Sequence, residues 1–578
     1  MRVALAQLNP TSGDIDGNTT RLLAAIDEAL SEGADLLVAP EMVLPGYCIG
    51  DLIENADFLA ANERAVDRVA RAARGLTVVV GFIDHDPEAR NENGTVRKYN
   101  AAAVVRDGRI LQRARKSLLP NYRYFDDRRF FAPAERREAV EIETRRGRAP
   151  IGVSICEDMW DEFYAVKPLP ELAAQGASML LNLNASPFYP GKRHERDATI
   201  RRHVAALQRP LVYVNTVGAA DNGKNVIVFD GESLVYDRHG SLVAIAPAFE
   251  EALLVVDLGA EAPVHAEREL PPMDREREMF DALVLGLRDY VRKTGFSRAV
   301  VPVSGGIDSS LALAIAVDAL GAGCVSAYNL PSPFNTAGTR GIAERLAAAL
   351  GVRYDTIPIA SIDREISSIF ERHAHPIARS ITRENLHARI RGLLMMAESN
   401  DTGALLISCG NETEIALGYA TLYGDMCGGV SVIGDVSKVD VYRLARHVNA
   451  RHGAEVIPEE AFSLRPSAEL AADQYDPFDY DVVAPVVTEL AERRRSPSEL
   501  LTLFEQRALD PGRFAADPDG RTVYDKHTSE SFRAVVTDAA RRIRSSVYKR
   551  LQGPPIVAIS ERAFGFDLRE TIINGWDG

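Results

Sequence analysis

Ser304-Gly-Gly-Ile-Asp-Ser-Ser310 is the stretch from which the fold of this chain can be read. It follows the apolar run Arg298-Ala-Val-Val-Pro-Val303 and precedes the helical run Leu311–Leu320. A strand that ends in Ser-Gly-Gly and turns into a helix presents free backbone N–H groups at the positive helix end, a cradle for phosphate. The turn lacks the Gly-Lys-Ser/Thr of a Walker A loop. It carries Asp308 instead, a carboxylate placed to hold Mg²⁺ against bound phosphates. Outward from the turn the pattern alternates: helix Met279–Lys293, strand Ala299–Val303, strand Val325–Asn329, helix Thr339–Leu350, strand Tyr354–Ile359, helix Glu384–Ser399 and strand Ala404–Ser408. That alternation predicts a doubly wound, Rossmann-like parallel sheet, with ligands bound beyond the C-terminal ends of its strands.

The N-terminal half has its own α/β pattern. Strands are predicted at Val3–Leu8, Leu36–Ala39, Thr77–Phe82, Ala101–Val105, Ile151–Ile155, Met179–Asn184 and Leu211–Val217. Amphipathic helices are predicted at Arg21–Leu30, started by Asn18-Thr-Thr, and at Ala60–Ala73. Residues 226–256 alternate like closing hairpins, and the Pro-rich, charged stretch 258–276 reads as a linker. The expected division is therefore a first domain over residues 1–260, a linker over 261–276 and a second domain over 277–578. The segment 492–527 is polar and loop-rich, and its pattern does not place it.

At 578 residues the chain exceeds a single hydrophobic core. A formal net charge of −15 argues against nucleic acid as the main partner. No apolar run reaches membrane-spanning length, and the N-terminus reads as a first strand. The five cysteines, at 48, 156, 324, 409 and 427, lack zinc-ligand spacing, which fits a reducing cytoplasm and a cysteine used as a nucleophile. Small-molecule substrates are the expected partners.

Three residues of the first half each follow a predicted β run: Glu41 after Leu-Leu-Val-Ala-Pro, Lys116 after Ile110-Leu-Gln-Arg-Ala-Arg, and Cys156 after Ile-Gly-Val-Ser-Ile. A carboxylate, an ammonium and a thiol are what amide hydrolysis through a thioester requires: a proton carrier, an oxyanion stabiliser and a nucleophile. In the second half, Ser408-Cys-Gly-Asn-Glu-Thr-Glu414 follows an apolar strand. This puts Glu414 at a sheet end, where it can share Mg²⁺ with Asp308.

The contexts of these residues carry a family resemblance. Ala39-Pro-Glu-Met, Arg115-Lys-Ser-Leu-Leu-Pro-Asn-Tyr and Ser154-Ile-Cys-Glu-Asp-Met-Trp resemble the signature segments of the nitrilase superfamily. The resemblance implies an αββα sandwich with Glu41 as general base, Lys116 as intermediate stabiliser and Cys156 as nucleophile. Segments 120–127 and 184–193 resemble the glutamine pocket of the glutaminase branch, which implies substrate contacts by Tyr122, Ser186 and Lys192. Ser304-Gly305-Gly306-Ile307-Asp308-Ser309-Ser310 resembles the pyrophosphate loop of the ATP-pyrophosphatase family, whose members cleave ATP to AMP and pyrophosphate.

Arg383-Glu-Asn385-Leu-His-Ala-Arg389-Ile-Arg391, Tyr423-Gly-Asp-Met-Cys-Gly-Gly429, Asp435-Val-Ser-Lys438 and Val547-Tyr-Lys549-Arg-Leu-Gln-Gly-Pro-Pro555 resemble NAD synthetases. That likeness implies ATP contacts by the 304–310 loop, Cys409 and Lys438. It also implies deamido-NAD⁺ contacts by Asn385, Arg389, Glu414 and Lys549, and Mg²⁺ ligation by Asp308 and Glu414. Cys409 stands where the family usually has threonine, and Val217-Gly-Ala-Ala-Asp-Asn-Gly-Lys departs from the usual Gly-Gly-Gln-Asp-Glu stretch. The order of the two halves resembles the glutamine-using NAD synthetases. It implies a ligase that takes ATP, glutamine and deamido-NAD⁺, an internal ammonia route and a homo-oligomer. The alternative is another glutamine-dependent amidotransferase with the same phosphate loop; an amidase with a degenerate second half and a non-catalytic nucleotide sensor are further rivals.

Overall fold

The computed structural model describes residues 1–258, 269–332, 337–465, 475–517 and 519–575. The chain divides into two compact units, Met1–Asn222 with Ile227–Met273, and Gly223–Val226 with Asp274–Gly578. Residues 259–268, where much of the expected linker falls, lie outside the described residues.

The first unit is built on two six-stranded sheets. One contains Arg2–Gln7, Leu36–Val38, Thr77–Arg90, Val96–Arg106, Arg109–Arg115 and Ala252–Asp257. The other contains Val140–Thr144, Gly147–Ile155, Met179–Asn184, Leu211–Asn215, Leu234–Tyr236 and Leu242–Ile245. Period-two alternation divides each strand between two cores. Val3, Leu5, Leu36 and Val38 of the first sheet share a core with Ile151, Val153, Leu181 and Val214 of the second. Ala4, Ala6, Leu37 and Val80 face the helices Ile15–Ser31 and Ala56–Ala72. Leu180, Leu211 and Tyr213 face Pro168–Ala174 and Lys192–Leu207. The layers run α-β-β-α, as the resemblance implied.

Several boundaries differ from the sequence reading. The first helix begins at Ile15 on an Asp14 cap, three residues before Asn18. Asn18 is buried in the helix and donates from its amide to the carbonyls of Thr11 and Leu44. The helix Lys192–Leu207 showed no apolar stripe because the side chains it buries include Arg193, Arg196 and His203. Arg196 is wholly buried against Asp230 and Glu232, so ion pairing takes the place of an apolar face.

In the second unit six strands run parallel, in the order Ile556–Ala558, Val430–Ser431, Leu405–Ser408, Ala299–Pro302, Val325–Asn329, Arg353–Thr356. The strand order reverses between Ala299–Pro302 and Leu405–Ser408, the switch point at which such sheets bind ligands. The segment read as loop-rich contributes the helices Pro497–Glu505 and Val523–Lys526. Leu500, Leu501, Phe504 and Phe514 pack there with Phe532 of Ser529–Ser545, and the Phe504 and Phe532 rings stack at 4.3 Å.

Candidate active site

In the first unit the structure brings Glu41, Lys116 and Cys156 to one buried place. Glu41 and Lys116 are 1% and 0% exposed, and Cys156 is buried. Lys116 Nζ donates to Glu41 Oε1 at 2.7 Å and to Asp127 Oδ2 at 2.7 Å. Glu41 also accepts from Asn100 Nδ2 at 2.7 Å and, on Oε2, from the Ala185 N–H at 2.8 Å. Its carboxylate is thus fixed on both oxygens.

Both the acid and the thiol sit on sharp turns: Met42 has φ 50° and Cys156 φ 43°, in the left-handed region that non-glycine residues rarely occupy. The Glu41 turn is pressed onto the strand Thr77–Arg90, where a Cβ on Gly81 would lie 2.3 Å from Met42 N. Burial alone would lower the Lys116 ammonium, but Asp127 and Glu41 hold it well above its ordinary range. Burial, and then the Glu41 charge, push the Cys156 thiol well up, while Lys116 pulls the other way. The thiol therefore rests neutral, and its proton has to be taken as it attacks.

Asp127, Tyr47 and Asn100 are the residues the sequence reading missed. Asp127 lies in the quoted 120–127 segment, but its chemistry shows only in three dimensions, where Tyr47 Oη donates to it at 2.7 Å. Around the thiol, Tyr122 Oη donates to both oxygens of Glu157, at 3.1 and 2.9 Å, and Tyr164 Oη adds a third bond at 2.9 Å. Ser186 is buried, with its N–H donating to Asn215 Oδ1 at 2.9 Å. Lys192 Nζ sits 3.9 Å from the Trp160 ring centroid, donates to Tyr189 Oη at 3.3 Å and lies 3.7 Å from half-exposed Glu195. Burial brings its pKa down to about 8. Ionisation of Cys156 would raise the pKa of both Tyr122 and Lys192, which puts the two side chains within electrostatic reach of the thiol.

In the second unit a cavity of about 570 Å³ opens at the switch point, lined by Ser304, Gly306, Asp308, Cys409, Glu414 and Lys438 among others. Gly305 has φ 93°, and a Cβ there would stand 2.1 Å from Thr339 O, so the turn requires glycine. Ser309 and Ser310 Oγ donate to Gly306 O at 3.0 and 2.8 Å, tying the loop to the first turn of Ile307–Leu320. Asp308 accepts from Asn411 Nδ2 at 2.8 Å and from Lys438 Nζ at 2.5 Å. Lys438 Nζ also lies 3.5 Å from Glu414 Oε1. Burial and then Asp308 raise the Glu414 pKa to about 8, against the pull of Lys438.

Two carboxylates therefore converge on one ammonium that does not fully compensate them, a donor set that fits a further cation. Among the described residues no three His, Cys, Asp or Glu side chains gather as a metal cluster. A two-carboxylate site completed by phosphate oxygens and water is the usual habit of Mg²⁺. Cys409 Sγ faces the carbonyls of Pro302 and Ile407 at 3.7 and 4.0 Å, and burial pushes its thiol up, so it stays uncharged.

Asn385, Arg389 and Lys549 converge on the segment 418–422 and do not line the cavity wall. Asn385 Oδ1 accepts from Thr421 Oγ1 at 2.9 Å, and Arg389 Nε donates to Leu422 O at 3.2 Å. Lys549 Nζ donates to Gly418 O and Ala420 O at 2.9 and 2.8 Å. The cations on the cavity wall besides Lys438 include Arg391 and Arg550.

Residues 2–262 match the carbon-nitrogen hydrolase family model and residues 279–509 the NAD synthase model. The glutamine-dependent NAD⁺ synthetase of Thermotoga maritima is 39% identical, with 99% of this chain and 98% of that one aligned. The chain belongs to the glutamine-dependent NAD⁺ synthetases. The Synechocystis synthetase is 37% identical over 99% of this chain and 98% of its own. The ADP-bound synthetase structure from Acinetobacter baumannii is 31% identical and superposes with a TM-score of 0.73 over 100% of this chain and 99% of that one. A Cytophaga hutchinsonii synthetase structure, 21% identical at a TM-score of 0.81 and covering 100% and 98%, shares the fold.

Proposed function

We propose that this enzyme takes nitrogen from glutamine at the first site and uses ATP at the second to amidate deamido-NAD⁺, giving NAD⁺, AMP, pyrophosphate and glutamate. The front domain, residues 1–260, is assigned the glutaminase, and residues 277–578, beyond a linker at 261–276, the synthetase. The observation that carries the glutamine step is the Lys116 ammonium held between Glu41 and Asp127 beside a neutral buried thiol.

Glu41 takes the Cys156 proton as sulfur attacks the amide carbon, and delivers it to the departing ammonia. Lys116 stabilises the oxyanion, and the resulting glutamyl thioester is then hydrolysed by water that Glu41 deprotonates. Lys192 reads the glutamine α-carboxylate, Glu157 with Tyr122 the α-ammonium, and Ser186 the remaining polar contact.

At the second site the backbone of Ser304–Ser310 cradles the released pyrophosphate, with Lys438 supplying positive charge. Asp308 and Glu414 would hold Mg²⁺, which when bound screens the phosphate charges. Cys409 packs at the nucleotide through its backbone, and Asn385, Arg389 and Lys549 order segment 418–422 against the deamido-NAD⁺, with Glu414 beside it. ATP adenylates the nicotinate carboxylate, and ammonia displaces AMP. Because ammonia in neutral water is mostly protonated and non-nucleophilic, sheltered transfer keeps it reactive. The enzyme is assigned to the cytoplasm as a homo-oligomer. The decisive experiment is incubation with ATP, Mg²⁺, deamido-NAD⁺ and glutamine: equimolar AMP and NAD⁺ support the reading, and ADP or no NAD⁺ refutes it.

A further inference from the structure

Asp158 is a carboxylate that the mechanism above does not use. It is 2% exposed, two residues beyond the nucleophile, in the short turn Cys156–Met159. Its Oδ2 accepts the Ile155 N–H at 3.0 Å. That bond alone would make it an ordinary turn cap. Its Oδ1, however, accepts the N–H of Ser117 at 2.9 Å and of Leu118 at 2.8 Å, residues some forty positions away and immediately after Lys116. One side chain therefore grips the backbone on both sides of the reacting pair. On one side is the residue before Cys156, whose φ of 43° needs outside support. On the other are the two residues after Lys116, whose own carbonyl accepts from Ala134 N. Burying a carboxylate is unfavourable unless its charge is hydrogen-bonded, and this one has three backbone donors. The pKa of Asp158, raised to about 6 by burial and restrained by the Leu118 and Ile155 donors, is consistent with an anion at neutral pH.

We propose that Asp158 is a positioning residue that sets the separation of the Lys116 ammonium from the Cys156 sulfur. The proposal rests on the glutaminase reading of this site. Asp158→Asn tests it, because the amide oxygen can keep the Ser117 and Leu118 bonds while its NH₂ opposes the Ile155 N–H and releases the thiol turn. A misplacement of about 1 Å costs about 100-fold in a positioned reaction. The measurements on the full chain are kcat and KM for glutamine per alkylatable Cys156 thiol, the pH profile of Cys156 alkylation by iodoacetamide, and ammonia-driven NAD⁺ synthesis as the internal control.

The expected result is a roughly 100-fold lower kcat, a glutamine KM within about threefold, an alkylation profile displaced to higher pH, and unchanged ammonia-driven synthesis. A normal kcat per thiol, with only the folded fraction or Tm reduced, would overturn the proposal, and so would a raised KM with kcat intact. Should D158N not fold, Asp158→Glu replaces it: the charge is kept, the reach is lengthened, and the same loss of kcat with normal ammonia use is expected. A wild-type chain unable to hydrolyse glutamine would fail the glutaminase reading itself and is scored separately.

Discussion

Replacing Lys116 by methionine keeps the volume of the side chain and removes one charge from a closed cluster. Lys116 Nζ is 0% exposed and lies 2.7 Å from both Glu41 and Asp127, themselves almost wholly buried. The variant leaves two carboxylates facing each other with no cation between them. Removing one partner of a buried ion pair destabilises a protein by about 3–5 kcal/mol. With about 2–4 °C per kcal/mol for domains of this size, the first unfolding transition should fall by roughly 6–20 °C. Catalysis suffers on two counts. The oxyanion loses its only charged donor among these residues, worth about 10²–10³-fold, and the thiol loses a buried charge that eases its ionisation. Glutamine-driven NAD⁺ formation should drop at least 10³-fold while ammonia-driven formation stays within about twofold, measured on one preparation with either nitrogen source. Retained glutamine use, or equal loss with both sources at an unchanged Tm, would refute the role assigned to Lys116.

Other perturbations separate the remaining claims. Gly305→Ala drives a Cβ to 2.1 Å from Thr339 O at a φ of 93°, so AMP formation should fall more than about 100-fold with glutamine hydrolysis intact; normal AMP formation would dismiss the phosphate turn. Lys192, at a pKa of about 8, loses its charge as pH rises through that value. The glutamine KM should therefore climb by up to about tenfold per unit above pH 8, and Lys192→Arg should abolish the rise; a flat KM profile would dismiss the carboxylate contact. Glu414→Gln removes one of the two carboxylates that converge on Lys438. The Mg²⁺ concentration for half-maximal synthesis should rise about tenfold or more, and an unchanged requirement would remove Glu414 from the metal assignment. Ser496→Ala breaks the capping box with Glu499 at the start of Pro497–Glu505. It should cost about 1 kcal/mol in the second unit without altering either activity.

Much of this architecture was legible in the chain because period-two alternation and strand-end punctuation are local. Ser304–Ser310 could be read as a phosphate turn because the strand before it and the helix after it are both apolar. What escaped was what depends on distant partners. Lys192–Leu207 hid its helix because Arg193 and Arg196 are buried by Glu232 and Asp230, some 35 to 40 residues downstream. Asp127 looked like one acid among several until Lys116 and Tyr47 closed on it. The polar composition of 492–527 masked the few positions, such as Leu500 and Phe504, that anchor it. Asn385, Arg389 and Lys549 were grouped by motif, but no spacing rule could reveal that the Thr421 hydroxyl occupies Asn385 and backbone carbonyls of 418–422 occupy Arg389 and Lys549.

In the proposed reaction, nitrogen leaves glutamine at Cys156 and ends in NAD⁺ at the ATP site of the same chain. Feeding the enzyme glutamine with an isotope-labelled amide, in the presence of unlabelled ammonium, tests it by mass spectrometry of the nicotinamide group. The wild type should give predominantly labelled NAD⁺, with one AMP per NAD⁺, and Cys156→Ala only unlabelled NAD⁺. Unlabelled NAD⁺ from the wild type, or label persisting in Cys156→Ala, would contradict it.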